Sequence, residues 1–211
     1  MSTIQEIFAA VEAGKAKVIG ELVAEALNNG QDPSEILNAG MIDAMSIVGE
    51  RFSKGDIFVP EMLAAARAMK KGVEVLKPHL AASATGANGK VILGTVEGDL
   101  HDIGKNLVGM MIESAGFEVI DLGVDVSAEK FVEVVKENQD TKIVALSALL
   151  TTTMPAMRST VKALSELETR NSFKILVGGA PVTTEFATQI GADAYGADAA
   201  SAAQKAKELV A

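Results

Sequence analysis

Val91-Ile92-Leu93-Gly94-Thr95-Val96-Glu97-Gly98-Asp99-Leu100-His101-Asp102-Ile103-Gly104-Lys105-Asn106 is the stretch on which the fold turns. It opens as an apolar, β-branched run. It passes through a loop that holds Asp99, His101 and Asp102 between two glycines, and it closes into a helical pattern over 107–115. This is the signature of strand, loop and helix, with the titratable groups gathered in the loop. His101 is the candidate metal ligand.

Downstream, the same rhythm repeats. Short apolar runs at 91–96, 117–122, 142–147, 173–177 and 194–195 alternate with helical stretches at 107–115, 127–138, 155–168, 184–190 and 197–210. Near-continuous apolar strands alternating with helices predict a parallel sheet covered on both faces. The expected architecture is α/β and flavodoxin-like (Rossmann-like), five strands in the order 2-1-3-4-5. Upstream, residues 1 to 80 read as helix throughout. Ile4, Ile7, Phe8 and Val11 share one stripe, and Val18, Ile19, Leu22, Val23, Ala26 and Leu27 share the next. Asp32-Pro33-Ser34-Glu35 reads as a helix start, with Asp at the N-cap and Pro in the first turn. Lys54-Gly55-Asp56 is a turn, and Pro60-Glu61 opens a fourth helix. Four helices with short connections predict a small bundle. The tract 81–89 is small and polar, a linker by composition. The expected domains are therefore a helical bundle, 1–88, and an α/β domain, 89–211.

The bulk numbers narrow the function classes. The chain has 211 residues, 48% hydrophobic and 22% charged, which suits one large or two small globular domains. Its net charge of −9 argues against nucleic acid and against an anionic membrane surface as partners. With no cysteine there is no disulfide framework and no thiolate metal site. The N-terminus lacks the basic and apolar regions of a signal peptide, and no apolar run reaches bilayer length, so the expected location is cytoplasmic.

In a sheet of this order, ligands bind beyond the carboxyl ends of the strands, near the point where strand order reverses. The loops after strands one, three and four then share a rim. They carry Asp99 to His101, Ser147 to Thr153, and Gly178-Gly179-Ala180. Asp99 and His101 are two residues apart, so in an extended loop both side chains leave the same side of the backbone. A carboxylate accepting a proton from one imidazole nitrogen leaves the other free for a metal. Gly104 permits a sharp turn or a close ligand approach, and Gly178-Gly179 offers bare backbone opposite. Blander roles stand beside these: Asp99 as a helix cap, Thr151 and Thr152 as caps of the next helix, Met62 and Met69 as bundle core, and Lys105 as a solvated cation.

Asp-x-His-x-x-Gly at 99–104, Ser-x-Leu at 147–149 and Gly-Gly at 178–179 together resemble the cobalamin-binding domain of methionine synthase and its relatives. The bundle resembles the cap module of methyl-transferring corrinoid proteins, with Gly55-Asp56-Ile57-Phe58-Val59-Pro60-Glu61-Met62-Leu63 similar to its signature. The whole chain is similar to the small corrinoid subunits of methylamine, methanol and aryl-methyl-ether methyltransferase systems. The resemblance implies cobalamin or a related cobamide bound base-off, with His101 in place of the nucleotide base and methylcobamide as the intermediate. It implies that Asp99 hydrogen-bonds His101 and that Thr153 stands where methionine synthase has a relay serine. It implies cofactor contacts from Gly98, Asp99, Leu100, His101, Asp102, Ile103, Gly104, Val108, Ser147, Leu149, Leu150, Thr151, Thr153, Gly178, Gly179 and Ala180. Phe58, Met62 and Met69 are the candidates to cover the corrin's upper face. The implied partners are a substrate-specific methyltransferase, an acceptor methyltransferase serving coenzyme M or tetrahydrofolate, and a reductive activase. The chain would then be a methyl-carrier subunit rather than a complete enzyme.

Three alternatives share parts of this pattern. An adenosylcobalamin-binding mutase subunit would need a substrate barrel of about 250 residues. A cobalamin-dependent sensor would carry a basic DNA-binding module, which the charge of −9 does not provide. A flavodoxin-like FMN or receiver protein suits the fold but leaves the pairing of Asp99 with His101 unexplained.

Overall fold

The computed structural model describes residues 3–76, 78–79 and 88–211. Of the expected linker 81–89, only Asn88 and Gly89 fall among the described residues. The chain forms two compact units: Met1–Ala87 with Ser114–Gly116, and Asn88–Glu113 with Phe117–Ala211.

In the helical unit, α1 spans Thr3–Glu12 and α2 spans Ile19–Asn28. A third helical run begins with α3, Pro33–Glu35, passes through a π segment, Ile36–Ile42, and continues as α4, Asp43–Ser53. The helix start expected at Asp32 is there: its Oδ1 accepts from the backbone N–H of Ser34 at 2.9 Å and of Glu35 at 3.0 Å. The fourth helix, α5, spans Val59–Leu76. Ile7, Val11, Ile19, Val23, Ile36, Met41, Met45 and Val48 are buried, as the helical spacing of apolar residues predicts. The π segment is the departure. Gly40 lies in it, and a Cβ there would stand 3.1 Å from Ile7 Cγ2, so α1 packs directly on the segment's backbone. Apolar spacing alone does not separate π from α winding.

The other unit is a five-stranded sheet in the order β2-β1-β3-β4-β5, all neighbours parallel. The strands are β1, Lys90–Thr95; β2, Glu118–Asp121; β3, Thr141–Ser147; β4, Lys174–Gly178; and β5, Ala194–Gly196. The helices are α6, Ile103–Ser114; α7, Ala128–Glu137; α8, Met154–Ser165; α9, Thr184–Ile190; and α10, Ala199–Val210. Crossover helices cover a parallel sheet, which is why β1 and β3 are buried nearly end to end. One side of the sheet packs Ile92, Val144, Leu146, Ile175 and Val177 against Phe131, Val161 and Leu164. The helix after β1 starts at Ile103, four residues before the apolar stripe that announced it. Ile103 is 85% exposed, so the first turn contributes nothing to that stripe.

The order places β1 beside both β2 and β3. The loops that follow β1, β3 and β4 leave the sheet at one edge, with Thr95, Ser147 and Gly178 in register. The candidate site lies there.

Candidate functional site

Asp99 is fully buried beyond the end of β1. A buried carboxylate is tolerable only if its lone pairs are filled, and these are. Oδ1 faces His101 Nδ1 at 2.7 Å and accepts from the His101 backbone N–H at 3.1 Å. Oδ2 accepts from the Leu149 backbone N–H at 2.6 Å and from the Thr153 hydroxyl at 3.0 Å. Burial pushes the Asp99 pKa upward. The hydrogen bonds from Leu149, from the His101 ring and backbone and from Thr153 outweigh it and bring the value from 3.8 to about 2. Asp99 is therefore a carboxylate at any ordinary pH. It ties the β1 loop to the β3 loop, which makes it a polar hinge pin rather than a helix cap.

A carboxylate at Nδ1 selects the tautomer with its proton there and frees the lone pair on Nε2. The ring is half exposed, and the Thr95 hydroxyl holds the residue's backbone by donating to the His101 carbonyl at 2.9 Å. Around it stand four large apolar side chains in solvent: Leu100 at 72% exposure, Ile103 at 85%, Leu149 at 43% and Leu150 at 40%. Clustered exposed aliphatic side chains mark a surface built to be covered. Among the described residues, no group of three or more His, Cys, Asp or Glu side chains could hold a metal ion. One half-exposed imidazole set in an apolar rim could supply a single ligand to a metal that brings its other ligands with it.

The other expected site residues distribute unevenly. Thr153 lies in a short 3-10 turn, Thr151–Thr153, and its Oγ1 is 2.9 Å from the Leu150 carbonyl as well as 3.0 Å from Asp99 Oδ2. One hydroxyl proton serves one of these acceptors at a time. Gly98 takes a positive φ of 79° beside the Thr153 methyl. Thr151 and Thr152 are exposed, and Val108 and Ser147 are half-buried. Asp102 accepts from the Asn106 side chain at 3.2 Å, and Ala180 is exposed on the β4 side. Phe58 is 68% exposed, while Met62 and Met69 are buried in the manner of bundle core; of the three, Phe58 alone offers a free surface.

One expectation is qualified and another needs correction. At Gly178-Gly179 the sides where a Cβ would stand face the protein itself, while both residues stay half-exposed. A Cβ on Gly178 would stand 2.9 Å from the Gly196 carbonyl oxygen, and one on Gly179 would stand 1.8 Å from that of Ala148. Lys105 is not solvated. Its side chain is 2% exposed and its Nζ pairs with Asp121 and donates to Asn106 Oδ1 at 2.8 Å.

Sequence inspection also missed Asp125. Its Oδ1 accepts from the Gly98 backbone N–H at 2.7 Å, and its own N–H donates to the Asp99 carbonyl at 3.0 Å. It is also the one non-glycine with positive φ among the described residues, at 55°. Its place after Leu122-Gly123-Val124, beyond a β-strand that pairs with β1, was the available signal.

Comparison with known proteins gives the family. Residues 89–204 match the family model of a B12 binding domain, and residues 3–77 match a second model of the same description. A dimethylamine corrinoid protein from Methanosarcina acetivorans is 45% identical over 210 residues, covering 99% of this chain and 97% of its own. The crystal structure of a cobalamin-binding protein from Desulfitobacterium hafniense matches with a TM-score of 0.84 at 35% identity, over 99% of this chain and 98% of its own. The methanol:cobalamin methyltransferase complex MtaBC from Methanosarcina barkeri matches with a TM-score of 0.84 at 30% identity, over 99% of this chain and 79% of that one.

Proposed function

This chain belongs to the B12-binding family of corrinoid proteins of methyltransferase systems, and from that premise we propose that it carries methyl groups on a cobamide held base-off, with His101 as the axial ligand. The observation that carries this is the Asp99–His101 pair, 2.7 Å apart, opening onto an exposed aliphatic rim. The cofactor, when bound, supplies a cobalt centre that takes a methyl group from one partner and yields it to another. The protein's own residues set the stage. Asp99 stays ionised and fixes the proton on Nδ1, so Nε2 presents a lone pair at the rim. Leu100, Ile103, Leu149 and Leu150 would lie against the bound cofactor and help exclude water around His101. Ser147, Leu149, Thr151 and Ala180, on the β3 and β4 loops, would line the space for a displaced nucleotide tail.

Donor and acceptor chemistry rests with partner proteins. A substrate-specific methyltransferase delivers the methyl group, and a second methyltransferase removes it to coenzyme M or tetrahydrofolate. A reductive activase restores the carrier after oxidation. Relatives that match include a dimethylamine corrinoid protein and a methanol:cobalamin methyltransferase complex, which supports a carrier rather than a mutase or a sensor.

The test is spectroscopic. Apoprotein grown on nitrogen-15 histidine is loaded with cob(II)alamin, and the nitrogen splitting in the electron paramagnetic resonance spectrum is recorded. The splitting should change from that of nitrogen-14 to that of nitrogen-15. His101→Ala should abolish it and weaken cobamide binding on the order of 10- to 100-fold. A nitrogen-14 pattern in the labelled protein, or an unchanged one in His101→Ala, overturns the axial assignment.

A further inference from the structure

The loop that carries His101 is held at both ends by one short segment, 121–125, between β2 and α7. At the near end, Asp125 accepts from the Gly98 N–H at 2.7 Å and donates its own N–H to the Asp99 carbonyl at 3.0 Å. At the far end, Asp121 takes the ammonium of Lys105, the third residue of α6, whose side chain is 2% exposed. Between these anchors the segment is stitched to itself and to β1. Asp121 Oδ1 accepts from the Gly123 N–H at 2.9 Å, the Gly123 carbonyl accepts from the Thr95 N–H at 3.0 Å, and the Val126 N–H donates to the Thr95 carbonyl at 3.0 Å. None of these contacts reaches the imidazole.

We infer that segment 121–125 is a splint for the His101 loop and that Asp125, with the Lys105–Asp121 pair, is a positioning residue for the imidazole. The loop from 98 to 104 is largely exposed, so it has little packing of its own to define it. Asp99 fixes His101 only if its own backbone is fixed. Its side chain points inward to Leu149 and Thr153, and its carbonyl is held by Asp125. Asp125 accepts a left-handed φ of 55° to reach both partners, a conformation that Asp and Asn tolerate better than most residues. A strained residue that makes two hydrogen bonds to a ligand-bearing loop is where positional precision is stored. A freed loop would let the ring sample both tautomers and orientations away from Asp99. Only the part of this inference that concerns cobamide affinity rests on the proposed axial role of His101.

Two substitutions separate side chain from backbone. Asp125→Gly removes the carboxylate at a φ that glycine adopts freely, so the fold is kept. Asp125→Asn keeps an acceptor oxygen and tolerates the same φ. The chain has two histidines, so the imidazole nitrogens of the labelled apoprotein give a readable spectrum without cofactor. At one fixed pH, wild type and Asp125→Asn should show His101 held as one form, with the proton on Nδ1 facing Asp99. Asp125→Gly should show averaging between tautomers at an unchanged circular-dichroism spectrum, and cob(II)alamin affinity weaker on the order of three- to tenfold. A single Nδ1–H tautomer in Asp125→Gly overturns the splint. Averaging in Asp125→Gly together with an absent histidine splitting in loaded wild type supports the splint and overturns the axial ligand instead.

Discussion

Two glycines on the same rim are there for opposite reasons. Gly104, in the first turn of α6, has nothing within 4 Å of where a Cβ would stand. Gly179, after β4, has a φ of 123° and would drive a Cβ to 1.8 Å from the Ala148 carbonyl oxygen. One has space that the protein leaves empty; the other has none at all. The Gly179 loop is a tight joint in which the turns after β3 and β4 cross backbone to backbone. The Gly104 loop is an open surface, with Ile103 beside it 85% exposed. A glycine that sequence reads as bare backbone thus has open space at its Cβ position in one case and a neighbouring carbonyl in the other.

The contrast breaks most readily at Gly179. Gly179→Ala combines a forbidden overlap with a φ that L-residues avoid, and it should destabilise the apoprotein by about 3 kcal/mol or more in denaturant titration. Near-wild-type stability there would mean that the crossing relaxes easily, and the joint would not be a joint. The next largest effect lies at the carboxylate between the two loops. Asp99→Asn places an amide against donors that now meet an anion, and it should cost about 2 kcal/mol at neutral pH. The sign with pH follows from the depressed value of about 2 against an ordinary 3.8. The stabilisation is complete above the ordinary value and is lost as pH falls through the depressed one. The gap between wild type and Asp99→Asn should therefore close between about pH 4 and pH 2; a gap constant over that range would mean the charge is not what the donors hold. The smallest effect belongs to Gly104. Gly104→Ala should stabilise the apoprotein by about 0.5 kcal/mol through helix propensity, while cobamide binds more weakly because the new methyl occupies the approach. Equal affinity in Gly104→Ala would remove Gly104 from the contact surface.

Much of this was legible before the structure. Periodicity carried the strand order, because alternating apolar runs and helices admit few parallel sheets, and the order brings three loops together. The pair at Asp99 and His101 was legible because both side chains come from one short loop. What stayed hidden depends on contacts across strands or on backbone angles. Lys105 looks solvated until β2 is set beside β1 and Asp121 comes within its reach. Asp125 looks like a turn residue because its positive φ leaves no trace in its identity. The glycine pair was noticed for its bareness, yet the carbonyls that fill the space come from Ala148 and Gly196, at positions no local pattern links to it. The π winding at Ile36–Ile42 keeps Ile36, Leu37 and Met41 buried just as an α-helix would.

The divided grip of Asp99 has a consequence for how such domains can be recombined. One of its oxygens serves the β1 loop, through His101, and the other serves the β3 loop, through Leu149 and Thr153. A graft that transplants the Asp-x-His segment alone would set a buried anion opposite foreign donors. The heritable cassette is thus discontinuous, 98–104 together with 147–153, and chimeras between relatives should be cut so that both pieces travel from the same parent.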